Sequence, residues 1–394
     1  MIKSREIHDF RMPQHFRFGI GAVNTLTEEV KNNYPNRKKI AIITDKGLEK
    51  LGIVEKIIKI LEPLSIPIVS FSDITGEPTF NLVELAVRKF KNEHVDCVIG
   101  IGGGSSMDVA KAIASLLDKE HISDYLYGNK TIEQRTIPCI LLPTTSGTGS
   151  EMTMIAVFGD EENELKTGIV SQALLPDLSI VDPELTLSSP PRVTASSGID
   201  AFTHAVESYI STGANELTKI YAEKAMNLFP DYIVRAVHNE EDLEARVGMS
   251  WVSTLAGIAF GNAGVGAVHA LAYPLGGRYH IEHGIANALL LPYVFQVIGS
   301  TQTNEMVEIA KFLQLGDYQN RKQDALQAFV NYFYRLLEQL DLPTNLMQLD
   351  VEEEYLPNLA KQASQITRLL KNTPYKLTEK KILSIYEHAF RGKS

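Results

Sequence analysis

The stretch VDCVIGIGGGSSMDVAKAIASLLDK, residues 95–119, constrains the fold more than any other part of the chain. A short β-branched run passes into Gly102, Gly103 and Gly104, and Ser105 opens a helical pattern directly after them. A strand that feeds a helix through bare glycines is half of a parallel βαβ unit. The same junction offers uncovered backbone N–H groups and a helix N-terminus, which suit a phosphate or pyrophosphate. Three glycines also make a plain tight turn, and it is the strand-then-helix setting that favours the phosphate. A standard dinucleotide fingerprint follows the first strand of its domain, whereas this loop follows about the third.

The flanking pattern agrees. KKIAIITD (38–45), IPIVSFSD (66–73) and TIPCILLPTT (136–145) read as buried strands. Between them, KGLEKLGIVEKIIKILEP reads as one amphipathic helix stopping at Pro63, and NLVELAVRKFKNEH as another. Strands alternating with helices predict a Rossmann-like α/β domain with an open parallel sheet. MIAVFG and KTGIVS then read as a strand pair, and PDLSIVDPELTLSSPP as a Pro- and Ser-rich joint. Beyond it the helical period dominates, at 192–212, 215–238, 241–262, after Gly264, and at 304–314, 322–340, 351–371 and 377–391. The expected domains are a nucleotide-binding domain at 1–185 and an all-α domain at 186–394. No internal repeat is present.

The second domain carries a cluster of metal-type ligands. Asp200 and His204 stand four apart in GIDAFTHAVESYI, so one helical face presents both. His269 and His283 bracket HALAYPLGGRYHIEH. A continuous helix would hold them roughly 21 Å apart, but Pro274, Gly276 and Gly277 lie between them and allow the chain to reverse. One carboxylate and three imidazoles make a shell for a divalent transition metal. Against this stands chance, since ten histidines are spread over 394 residues.

Asp45 ends the first strong strand. An acid there accepts hydrogen bonds from a ribose and repels a 2′-phosphate, or simply caps the next helix. LPTTSGTGSEMT, 142–153, follows a strand with hydroxyls and glycines suited to a cofactor, or to a capped loop. It has no order of Ser, His and Asp that would make Ser146 or Ser150 a nucleophile. Cys97 and Cys139 sit in apolar runs and are expected as buried free thiols in a reducing cytosol. The net charge of −10 argues against a nucleic-acid surface, and the N-terminus lacks a signal-peptide pattern. The long uncharged run from Val252 to Gly277 is rich in Gly, Ser and Asn and suits packed core helices better than a membrane span. A cytoplasmic protein is expected.

In order, these blocks resemble the iron-containing alcohol dehydrogenase family. Its pattern GGGS-x-x-D-x-x-K stands here at 102–111, PTT-x-GTGSE-x-T at 143–153, DP-x-L-T at 182–186, D-x-x-x-H at Asp200 and His204, and a histidine followed by H-G-x-A-N at His269 and His283 to Asn287. The match covers roughly residues 40–300. The resemblance implies NAD(P)-dependent interconversion of a small alcohol or diol with its aldehyde or ketone in a cleft between the domains, with NAD favoured over NADP because Asp45 lies where relatives that prefer NAD carry an acid. It implies Asp200, His204, His269 and His283 as ligands of Fe²⁺, with Zn²⁺ as the alternative metal. It implies Gly102, Gly103, Gly104 and Ser105, with Asp108 nearby, at the pyrophosphate, and Thr144, Thr145, Ser150 and Thr153 around the nicotinamide half. A homodimer or larger homo-oligomer is common among similar proteins. One position departs: where many relatives carry a second histidine four after the third ligand, this chain has Tyr273, whose ordinary pKa of about 10 makes it a poor base. His280 is the other candidate for a proton route. A zinc-dependent polyol dehydrogenase and a lyase of the dehydroquinate-synthase type share the architecture. The lyase would want a basic cleft, and near the ligands the sequence offers Arg278 and little else.

Overall fold

The computed structural model describes residues 7–161 and 165–392. Eight strands run in chain order: β1 (His15–Phe18), β2 (Ile40–Asp45), β3 (Ile68–Ile74), β4 (Cys97–Gly102), β5 (Cys139–Pro143), β6 (Ile155–Asp160), β7 (Leu165–Val170) and β8 (Leu178–Val181). Six form one sheet in the order β1-β8-β5-β4-β2-β3, and every pairing in it is parallel. From β2 the chain crosses outward to β3, then returns to place β4 on the other side. The carboxyl ends of β2 and β4 therefore flank the point where the winding reverses, which is where ligands of open α/β sheets bind. Asp45 and Gly102 stand there. Strands β6 and β7 form a separate antiparallel hairpin.

Two strands escape the sequence pattern. β1 has four half-buried residues and no clear alternation. β8 lies inside the Pro- and Ser-rich joint, where four buried residues are too few for a periodic signal. The expected single helix at 46–63 is two, Lys46–Lys50 and Ile53–Leu61, because Gly52 takes a left-handed φ of 76° between them.

From Pro191 onward the described chain is helical. Helix Pro191–Ile210 lies at the centre of this region and packs on helices Glu216–His238, Leu243–Ala263 and His283–Ile298. Phe202 anchors it, with ring centroids 4.8 Å from both Phe229 and Phe333. The uncharged run noted above spans helices Leu243–Ala263 and Ala267–Tyr279, which meet at a bend of 100°. His283–Thr301 is long and apolar enough to cross a membrane by composition, yet 72 % of it is buried inside the fold. These are core helices.

The nucleotide and helical regions meet through backbone. A Cβ on Gly149 would lie 2.6 Å from Cα of Gly257, and one on Gly257 would lie 2.9 Å from O of Gly149. No larger residue fits at either place without moving a helix. Beside this contact Glu151 is buried, and its backbone carbonyl accepts a hydrogen bond from Ser179 Oγ at 2.6 Å. Burial pushes the Glu151 carboxyl up to about 7 from 4.5. A carboxyl raised on folding binds its proton more tightly in the native state, so stability falls as pH rises across that window and stays low above it. The penalty reaches about 3 kcal/mol. Glu151→Gln is expected to melt higher than the parent at pH 8 and level with it near pH 5. An equal difference at both values, read by calorimetry, would refute the assignment.

Candidate active site

A cavity of about 190 Å³ lies between the glycine loop, the β6–β7 hairpin and the helical region. Asp200, His204, His269 and His283 line it from the helical side. Asp200 and His204 occupy one face of helix Pro191–Ile210, as the spacing predicts. His269 lies in the first turn of helix Ala267–Tyr279 and His283 begins helix His283–Ile298. The reversal between them is not at the expected residues. Pro274, Gly276 and Gly277 all lie inside helix Ala267–Tyr279, and the chain turns at His280, whose φ is 54°. The helix runs on through Pro274 and Gly276.

Ligand atoms of Asp200, His269 and His283 all lie within 4.8 Å of one another. His204 stands just outside that set, with Nε2 4.0 Å from Asp200 Oδ2 and its ring stacked 4.7 Å from that of His269. The surroundings decide which atoms are free. His269 Nδ1 donates to Glu207 Oε2 at 2.6 Å, and Val268 N donates to Glu207 Oε1 at 2.7 Å. His269 Nε2 is left buried without a partner, 3.7 Å from Asp200 Oδ1. His204 Nδ1 donates to the Gly147 carbonyl at 3.2 Å, which also frees its Nε2. Asn287 Nδ2 donates to Asp200 Oδ1 at 2.7 Å. Burial holds the His204 imidazolium down to about 4 and that of His283 well below its ordinary value. Burial opposes ionisation of Asp200, but the three imidazoles and the Asn287 amide outweigh it and leave its pKa lowered. Three imidazoles, each with one ring nitrogen engaged by a neighbour, and one carboxylate fit a divalent cation.

The glycine loop makes the opposite wall. Gly102 has φ 146°, and a Cβ there would lie 2.8 Å from Ser106 Oγ. A Cβ on Gly104 would meet Thr148 at 3.0 Å, whereas one on Gly103 would touch only Thr145, at 3.5 Å. The backbone of Gly103 and the N-terminus of helix Gly104–Leu116 are thus open to a phosphate. Gly104, Ser105, Asp108, Ser150 and Thr153 line the cavity itself. Thr145 Oγ1 is buried without a partner, and Thr144 N bonds the Gly102 carbonyl at 3.0 Å. Asp45 accepts from Gly47 N at 2.8 Å and Leu48 N at 3.1 Å, so it caps the following helix.

Several residues in and behind the cavity wall escaped the sequence reading. Lys111 is fully buried and donates to Ser150 Oγ at 2.6 Å, Ile155 O at 2.8 Å and Thr153 Oγ1 at 3.3 Å. Ser150 Oγ and Val157 N in turn donate to Asp108, at 2.5 and 2.8 Å. Asp108, Ser150 and Thr153 thus form one network around Lys111. The lysine was visible only as the last letter of the glycine motif. Lys166 and Arg368 also line the cavity, so the expected scarcity of cations is wrong. Arg278, the one cation expected there, is exposed and does not line it. His280 is exposed as well and does not line the cavity. Tyr273 does line the cavity, 5.9 Å from the His283 ring between centroids. Burial pushes its phenol up, against the opposing charge of Arg368. Phe158 and Phe260 form apolar walls, whereas Tyr279 bonds to Glu352 elsewhere.

Residues 13–183 match the iron-containing alcohol dehydrogenase family and residues 194–390 its C-terminal domain. The long-chain-alcohol dehydrogenase 1 of Geobacillus thermodenitrificans is 42 % identical over 95 % of this chain and 94 % of its own length. An NAD-dependent methanol dehydrogenase of Bacillus methanolicus is 33 % identical over 90 % of this chain and 93 % of its own. The crystal structure of a 1,3-propanediol oxidoreductase superposes with a TM-score of 0.92 at 33 % identity, covering 98 % of this chain and all of that one.

The Glu207–His269 hydrogen bond yields a test. Glu207→Gln is expected to weaken Fe²⁺ or Zn²⁺ binding by roughly ten- to a hundredfold, the usual effect of losing a carboxylate behind a ligating histidine. Titration calorimetry on the metal-free protein reads this directly, and unchanged affinity would remove His269 from the metal.

Proposed function

The chain belongs to the iron-containing alcohol dehydrogenase family and is an NAD-dependent oxidoreductase, and from this premise we propose that Asp200, His204, His269 and His283 hold Fe²⁺ beside the nicotinamide in the cavity. The observation that carries the reading is the buried, unpartnered Nε2 of His269, set by Glu207 against the Asp200 carboxylate. An imidazole nitrogen with nothing to bond in a dry cluster costs about 1–3 kcal/mol unless a cation takes it. Simple affinity favours Zn²⁺ over Fe²⁺, and the family inclines the choice to iron.

Bound there, the metal supplies Lewis acidity toward the substrate oxygen, and the nicotinamide accepts or donates the hydride. The residues of the chain do the rest. The glycine loop seats the pyrophosphate against a helix N-terminus. Lys111 ties Ser150 and Thr153 to Asp108, which keeps that wall rigid beside the cofactor. Phe260, Val265, Phe158 and Leu369 exclude water from the reacting carbon. In oxidation the alcohol loses a hydride to NAD⁺ and a proton from its hydroxyl. Tyr273, with its phenol raised by burial, does not accept that proton at neutral pH.

The reading is tested by purifying the protein without chelator, measuring bound iron and zinc, and following NADH absorbance with two- to four-carbon alcohols and aldehydes. Bound metal and turnover are expected. Neither metal bound after loading, together with no turnover, would overturn the reading. Asp45 keeps Oδ2 free of the cap hydrogen bonds, which use Oδ1, so we assign it to the adenosine ribose. Asp45→Gly is expected to raise the relative kcat/KM for NADP, at little cost in capping. An unmoved ratio would leave Asp45 as a cap alone.

A further inference from the structure

Lys166 and Arg368 line the cavity, Lys111 is buried behind its wall, and two of these three cations are neutralised. Lys111 is saturated by Asp108 and three oxygens, as described. Lys166, whose side chain is 3 % exposed, pairs with Glu77. Arg368, on the short helix Thr367–Leu370, has no carboxylate partner among the described residues. Its guanidinium sits against the Tyr273 hydroxyl.

At this end of the cavity the ends of the two cationic side chains lie over glycines. Residues 166 and 168 share one face of β7. A Cβ on Gly168 would lie 2.5 Å from Arg368 Nη2, and a Cβ on Gly276 would overlap the Lys166 ammonium. The guanidinium and the ammonium thus pack over Gly168 and Gly276. Tyr273 spans from the His283 ring to Arg368, so the guanidinium lies about one tyrosine away from the metal cluster. The wall between is apolar: Ile155, Val157, Val265 and Leu369.

We propose that Arg368 is a specificity-determining residue, and that the physiological alcohol or aldehyde carries a carboxylate or sulfonate on the end remote from the reacting carbon. A planar guanidinium with five donors matches such an oxyanion through two parallel hydrogen bonds. A neutral substrate would forgo that pairing and leave the half-buried guanidinium to the Tyr273 hydroxyl and water. Asp108 and Glu77, the nearby acids, are already engaged by Lys111 and Lys166. The inference rests on the dehydrogenase reading and extends it to the class of substrate.

The test uses the metal-loaded enzyme and NADH. Succinic and glutaric semialdehydes are compared with pentanal and hexanal, which replace the carboxylate by an ethyl group at two chain lengths. The parent is expected to favour the anionic partner at one length or both. Arg368→Leu is expected to lower the anionic-to-neutral ratio of kcat/KM by about ten- to a hundredfold, the worth of a charge-assisted hydrogen bond. Arg368→Lys should restore part of that ratio. A parent that prefers the neutral aldehyde at both lengths overturns the proposal. So does a leucine variant that loses both substrates equally, which would mean that Arg368 only holds Tyr273, or one that changes the KM for NADH and leaves the ratio intact. No NADH oxidation with any of the four aldehydes overturns the dehydrogenase reading, and this proposal with it.

Discussion

The fold depends on one close approach of backbone to backbone. The loop from Gly147 to Ser150 lies against helices Pro191–Ile210 and Leu243–Ala263 so tightly that Gly149 and Gly257 admit no side chain. This contact does more than join two regions. It brings the Gly147 carbonyl to the Nδ1 of His204 and sets Ser150 on the Lys111 ammonium. A residue of the helical region is thus oriented by the loop that faces the cofactor, and a single loop serves both walls of the cavity.

Much of this was legible in the sequence because the signals were local. The β4–glycine–helix junction, the Asp200–His204 pair and the hairpin of β6 and β7 each rest on fewer than about twenty neighbouring residues and one clear period. What was not legible depends on contacts between distant segments. β8 is buried on both sides by neighbours contributed elsewhere, so four residues in a Pro-rich joint complete the sheet without announcing themselves. Pro274 and Gly276 looked like a turn because both residues break isolated helices. In the folded chain the Lys166 ammonium lies over Gly276, and the turn falls one helical turn later, at His280. Arg368 lies in a region with no motif at all. Only the placement of helix Thr367–Leu370 over Gly168 brings it to the cavity.

The charges of the cavity form a gradient. On the metal side, Asp200 and Glu207 set two carboxylates among three imidazoles, which suits a dication. In the middle, Asp108 and Lys111 cancel. At the far end Lys166 is matched by Glu77 and Arg368 is left over. Burial sharpens the first two, because an unbalanced charge in a dry cleft is felt across its whole width, whereas at the far end Glu77 is exposed and Arg368 half-buried. The lyase alternative had been set aside for want of cations near the ligands. The cations are there, and membership of a dehydrogenase family decides the matter in their place.

The glycine contact between Gly149 and Gly257 also limits how such proteins can be recombined. A chimera joining the nucleotide-binding half of one relative to the helical half of another would inherit a seam designed for two missing side chains. Where either parent places so much as an alanine at its side of that seam, the halves would be held apart by the width of a methyl group. The histidine oriented by Gly147 would then lose its acceptor, even though every residue lining the cavity had been kept.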